Sequence, residues 1–397
     1  MPTAIASQFT AFKKALANRI LGGIVVNPKK RGEYITRLTA SLDPNEFLPS
    51  SVKVVPTQTP AIPIAPILVG VGSGANTLSY SEDDGLTWVG LGNTVFNVEA
   101  ACAVWNGTIW VAVGKHSDKT TVAYSSNGKL WTKVSPIINF NNSADIESLK
   151  SVVWVTSGSK FVAVGGYDVI TSSDGINWNP TKSQVTRDIN ILATDGLSII
   201  ALPDQTTQKT LLYSNDIGNT WITVENSDGS GEITPQDGGR FTDILWDGTR
   251  YFAIVGNTTS RSPDGTIYYT NGADITDWRL IDIGVSGGGS LDGNTNIAYD
   301  ALSDLYILRN SSSTDNKTQI SKDGLVWQDI VNTTLNTAVH STTHGSIIIT
   351  KKYVIIFLSD GKYLYSSNAL TWDGTSTPNF TWIQSTITPS ILAAFSN

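Results

Sequence analysis

The sequence predicts an all-β chain: a seven-bladed β-propeller of four-stranded blades, preceded by a small helix-and-hairpin extension. Three observations carry this expectation. A short motif ending in Trp recurs seven times. Its tryptophans, Trp88, Trp131, Trp178, Trp221, Trp278, Trp327 and Trp372, are 43, 47, 43, 57, 49 and 45 residues apart, a period that means stacked supersecondary units. Each period also holds a near-continuous apolar run, such as Trp110–Val113 or Phe161–Val164, which reads as a strand buried on both faces.

Composition sets the outer bounds. The chain has 397 residues, 40% hydrophobic and only 15% charged, as in a folded protein with a polar, weakly charged surface. The net charge of −7 argues against a nucleic-acid partner. It is divided unevenly, with +5 on residues 1–65 and −12 on the remainder, which suggests two environments. The single cysteine, Cys102, rules out an internal disulfide and reads as a buried filler among Ala100, Ala101, Ala103 and Val104. No apolar run reaches the length of a membrane span, and Met1-Pro2-Thr3 opens no signal peptide.

Residues 1–42 form the extension. Ile5, Phe9, Phe12, Leu16 and Ile20 recur at helical spacing and make one apolar face; Thr3 caps the helix and Gly22-Gly23 ends it. That face packs on its own domain or docks on a partner; a membrane-surface helix is less favoured, since only three basic residues and no Trp accompany it. Two short strands, 23–26 and 33–38, flank the turn at Asn27-Pro28. Residues 43–65 carry Pro44, Pro49, Pro56, Pro60 and Pro63, a proline-stiffened linker. The propeller is expected over 66–397.

Each period divides into four strands. In the second these are 98–105, 109–113, 121–125 and 131–134. The first repeat supplies only three, because the proline stretch stands where its first strand would be. After an outer strand of the seventh repeat at 381–385, residues 391–395 resemble the missing piece, so the C-terminus is expected to complete the first blade and close the ring.

The motif suits a tight hairpin between the third and fourth strands. Gly85, Gly128, Gly175, Gly218 and Gly324 supply positive φ. Asp83, Asn127, Asp174, Asp216 and Asp323 can accept turn amides as in an Asx-turn, Ser81 and its counterparts can tie the turn, and the Trp buries a ring worth roughly 2–3 kcal/mol. The copies at Ser81 and Ser214 have one extra residue before the glycine. The copy before Trp278 is worn, and Ala369 replaces the glycine in the last, so those two turns should be the least regular.

Ser81-Glu-Asp-Asp-Gly-Leu-Thr-Trp88 and Ser214–Trp221 resemble the Asp-box, or bacterial neuraminidase repeat, and the resemblance covers about 66–397. It implies a propeller with the boxes at the blade periphery, away from the axial face where ligands bind. It also implies a family of varied function: sialidases and other glycosidases, sortilin-type receptors, photosystem II assembly factors, and phage or viral surface proteins.

Catalytic constellations find little support. A sialidase needs three converging arginines, because bidentate pairing recognises its carboxylate; the propeller holds Arg187, Arg240, Arg250, Arg261, Arg279 and Arg309, and no Arg-Ile-Pro element opens it. Glycoside hydrolysis would need paired carboxylates from among Asp188, Glu232, Asp243 and Asp300. His116, His340 and His344 are too few for a His₃ zinc site. Tyr80, Tyr124, Tyr213, Tyr269 and Tyr365 recur before the boxes and read as blade packing. No catalytic, cofactor or metal residue is expected. The expectation is a non-enzymatic structural or interaction protein, a virion component (phage tail, fibre or capsid surface), or cytoplasmic otherwise. Residues 1–65 would dock on other structural proteins of an oligomeric assembly, and the propeller would touch a host glycan or protein. The alternatives are a carbohydrate-binding or sialidase-like propeller and a photosystem-type assembly factor.

Overall fold

In a computed structural model the described residues are 67–376, apart from 138–144, 182–184, 186, 204–209, 226–230, 236–239, 257–265, 283–295, 302, 310–317, 331–346, 351, 358–362 and 370–372. They form antiparallel meanders throughout, with no helix among them.

The first sheet has three strands, Leu68–Val71, Leu78–Ser81 and Val89–Gly90. Six four-stranded blades follow, each ordered as in the chain. Their two inner strands are Glu99–Trp105 and Trp110–Lys115, Ser151–Val155 and Lys160–Gly165, Ile189–Thr194 and Ile199–Pro203, Arg240–Trp246 and Tyr251–Gly256, Asn296–Asp300 and Leu305–Arg309, and Ile347–Ile349 and Val354–Phe357. This corrects the expectation of seven four-stranded blades: six have four strands, and the first repeat yields three. In the last blade the fourth strand is Asp373–Ser376, paired with Tyr363–Ser366; residues 381–385, where that strand was expected, lie outside the described residues. The expected closing strand at 391–395, the helix bearing Ile5, Phe9, Phe12, Leu16 and Ile20, and the linker all lie outside the described residues.

First strands of successive blades lie against one another and form the inner wall. Second strands are the most enclosed: Val111, Ala112 and Val113, Phe161 to Val164, and Tyr251 to Ile254 are all fully buried. A blade alternates its side chains between two faces, so each second strand feeds two cores. Val162 and Val164 join one interface, while Phe161 and Ala163 join the one before it. Cys102 sits in that earlier interface, its thiol donating to the Val152 carbonyl at 3.6 Å. The last blade meets the first sheet through Leu68, Trp88, Ile355 and Tyr363. There the Tyr363 hydroxyl donates to the Leu86 carbonyl, and Lys352 pairs with Asp84 at 3.2 Å.

This meander gives the propeller two unlike ends. Turns from first to second strand and from third to fourth strand share one face, the hairpin face. Turns from second to third strand and the blade-to-blade connections share the other, the loop face.

Candidate functional site

The residues singled out by the repeat all occupy the hairpin face, where they hold the turns. At Ser172 the hydroxyl donates to Asp174 Oδ1 at 3.0 Å and accepts the Gly175 amide at 2.8 Å. Asp174 in turn accepts the amides of Ile176 and Asn177 at 2.9 and 2.8 Å. Ser321, Asp323 and Gly324 repeat this arrangement, as do Ser125, Asn127 and Gly128. Ser81 with Asp83 and Gly85, and Ser214 with Asp216 and Gly218, do so in longer turns. The extra residue there is a second left-handed one, Asp84 at φ 58° and Ile217 at φ 62°, ahead of the glycine. Each indole N–H then donates to the glycine carbonyl, as from Trp88, Trp131, Trp178, Trp221 and Trp327 at 2.8–3.1 Å.

Glycine is demanded twice over at Gly324. Its φ is +69°, and an added Cβ would lie 2.6 Å from the Phe252 ring of the preceding blade. The worn copy shows what is dispensable: Trp278 donates to Ile275 O at 2.8 Å with no Ser-Asx pair ahead of it. Ala369 adopts φ 58° in a fully buried site and so keeps the conformation that glycine has elsewhere. Trp372 lies outside the described residues.

The carboxylates of this face are committed to turns. The Asn177 amide and side chain hold Asp174 well below the usual range. The Val326 and Leu325 amides do the same for Asp323. Burial pushes Asp83 up, but the Thr87 hydroxyl and amide outweigh it and leave the carboxyl lowered.

The loop face carries a different chemistry, whose charge pairings the sequence did not flag. His116 Nδ1 meets Asp118 Oδ1 at 2.6 Å and its Nε2 meets Lys133 Nζ at 3.2 Å. Lys133 reaches Asp118 at 3.0 Å, Lys119 pairs with Glu147, and Lys150 pairs with Glu99 of the preceding blade at 3.3 Å. The Thr120 hydroxyl and amide, with Lys133, hold the Asp118 carboxyl low. Arg187 bonds the Thr210 hydroxyl and lies 3.8 Å from Glu232. Tyr167, in the turn after Lys160–Gly165, is 60% exposed.

Deeper at the same end, inner strands carry a β-bulge at Ala100/Cys102, Ile189/Ile191 and Phe241/Asp243, and bulges re-aim side chains. In the last case the re-aimed group is Asp243. Its Oδ2 accepts the Ile297 amide of the next blade at 3.0 Å, and its Oδ1 accepts the Ile244 amide at 2.9 Å. Burial pushes this carboxyl up to about 6 against those amides. In the next blade Asn296, Arg309 and Thr318 stand opposite one another across three strands. Arg309 is 2% exposed and donates to Thr318 Oγ1 at 3.3 Å. Burial pulls the guanidinium down to about 10.

The carboxylates named as glycosidase candidates do not converge. Glu232 answers Arg187 and Asp243 ties two blades. Asp300 ends its inner strand at the hairpin face, bonded by the Ser303 hydroxyl at 2.5 Å. The arginines are likewise dispersed. Arg250 lies on the hairpin face against Asp247 at 3.3 Å and the Asp323 carbonyl. Arg279 pairs with Asp277 at 3.3 Å, and Arg261 lies outside the described residues, as do His340 and His344. Among the described residues no group of three or more His, Cys, Asp or Glu is placed to hold a metal, and no helix is long and apolar enough to cross a membrane. The tyrosines preceding the hairpins pack between blades. Tyr213, Tyr269 and Tyr365 join core clusters, and Tyr80 lies beneath Lys129 Nζ at 5.1 Å.

Fold and hairpin geometry together define a β-propeller. Residues 84–383 match the family described as the DUF6242 beta propeller domain, and the chain belongs to that family. No curated relative matches its sequence. Among solved structures it is similar to YCF48 bound to a D1 peptide, at 15% identity and TM-score 0.51, covering 74% of this chain and 88% of that one. YCF48 from Cyanidioschyzon merolae matches at 12% and 0.48, covering 74% and 92%. The computationally designed Ika8 protein matches at 12% and 0.49, covering 82% and 86%. These likenesses concern the fold.

Proposed function

We propose that this propeller is a non-enzymatic interaction module of a larger assembly, and that its loop face takes a partner protein. The observation that supports this reading most is the paired, two-sign charge pattern of that face, from Glu99–Lys150 and Lys119–Glu147 to Arg187–Glu232. Charges held in register by their neighbours confer specificity and rapid association rather than bond-making chemistry. YCF48, whose structure holds a D1 peptide, offers the same fold to a partner of that kind. The Asp-box resemblance and the Asn/Thr/Ser-rich composition favour a virion particle, with residues 1–65 as the docking segment. The test is the solution mass of the full chain across concentration and salt, beside a Lys119→Glu/Lys150→Glu variant and a glycoside-hydrolysis assay. A defined assembly that dissolves on charge reversal supports the reading. A monomer that turns over a glycoside overturns it.

A further inference from the structure

A buried guanidinium is ordinarily paired with a carboxylate, because an unpaired charge in the interior costs several kcal/mol. Arg309 departs from this. Its side chain lies on the same strand face as Leu305 and Ile307, which pack against Val354 and Ala369 of the last blade, so it is held between two blades. One amino group is engaged by Thr318 Oγ1, while Nε has no partner. Directly opposite on the inner strand, the buried Asn296 Oδ1 also has no partner, although its amide group donates to Asp243 Oδ2 at 3.4 Å. A lone buried donor and a lone buried acceptor therefore face the same side of one sheet. Arg309 is the last residue of its strand, at the loop-face end of the blade, and both unpartnered atoms are buried there.

We propose that Arg309 and Asn296 form an anion subsite for a carboxylate that carries a neighbouring N–H donor, such as the main-chain end of a polypeptide. One carboxylate oxygen takes the Nε–H of Arg309, in the side-on geometry that makes arginine selective for planar oxyanions. The ligand N–H answers Asn296 Oδ1. No bond is made or broken and no cofactor is required. The subsite goes beyond the proposed function: it stands whether or not the outer charge pairs bind a protein.

The test is thermal unfolding of the full chain with N-acetylglycine, acetate or phosphate against chloride at matched ionic strength. A ligand that binds only the folded state raises Tm in a saturable way. N-Acetylglycine is expected to raise it by roughly 2–5 °C at saturation, with acetate needing a higher concentration. Arg309→Met should abolish the rise while folding at least as stably in chloride, since it removes an unpaired buried charge. Asn296→Leu should abolish the advantage of N-acetylglycine over acetate. A second measurement leaves Arg309 unchanged: its Nε–H resonance in arginine-labelled protein should shift saturably with N-acetylglycine. The assignment is overturned by equal rises in native and Arg309→Met protein, by a response to phosphate alone, or by no resonance shift and no rise in the native chain. Loss of the Tm response with the charge-pair surface intact would sink this subsite and leave the proposed function standing.

Discussion

At the hairpin face, carboxylates sit half in water and accept amides from two to four residues further along the chain. At the loop face, Asp243 is enclosed and accepts amides from its own strand and from a residue 54 positions away. The same side chain is thereby driven in opposite directions. Local backbone donors make the charged form of Asp174 and Asp323 favourable, whereas burial makes the charged form of Asp243 costly. The comparison teaches that these aspartates are fastened by chain geometry at one end and by packing between blades at the other.

The comparison can be broken most forcefully at Gly324. Valine there meets both the left-handed φ and the Phe252 ring, and should cost about 3 kcal/mol or more, seen as a lower denaturant midpoint with an unchanged slope. Next comes the pH profile. The Asp243 pKa is raised from 3.8 to about 6, so its contribution is fully present below about 4 and is lost as pH rises through about 6, about 3 kcal/mol. The lowered hairpin carboxylates act in the opposite sense, losing their contribution as pH falls below the ordinary carboxylate range. Asp243→Asn should flatten the first limb and leave the second, as read from unfolding free energies between pH 3 and 7. The smallest change is Ser172→Ala, which leaves the buried Gly175 amide without its acceptor and should cost about 1–2 kcal/mol.

How much is legible in the sequence follows the same division. The hydrogen bonds that shape a hairpin lie within four residues, so Ser, Asx, Gly and Trp at fixed spacing announce it. The three strands of the first repeat are legible for the same reason, as segments 67–71, 78–81 and 88–91 beside that motif. Contacts of Asp243, Asn296 and Arg309 join strands and blades roughly 10 to 50 residues apart, and nothing local marks them. A signal does exist. Arg309 ends a run of apolar residues, Leu305 to Leu308, in a strand type that is otherwise buried on both faces, and a charge in that position asks for a partner. The number of four-stranded blades is not legible from the motifs, because a motif marks only a third and a fourth strand, and seven of them do not require seven complete sheets.

The junction of Tyr363 with Leu86 has a consequence for the order of events in folding. Neighbouring blades meet across some 45 residues of chain, but this contact spans 277. Loop-closure entropy grows with that separation, by about 0.6 kcal/mol for each doubling, and contacts of high sequence separation form late. The blades can therefore assemble side by side as a row, in a propagation that needs no fixed starting point, and the ring is sealed by a single late step. Run in reverse, that seam is the place where the circle comes undone first.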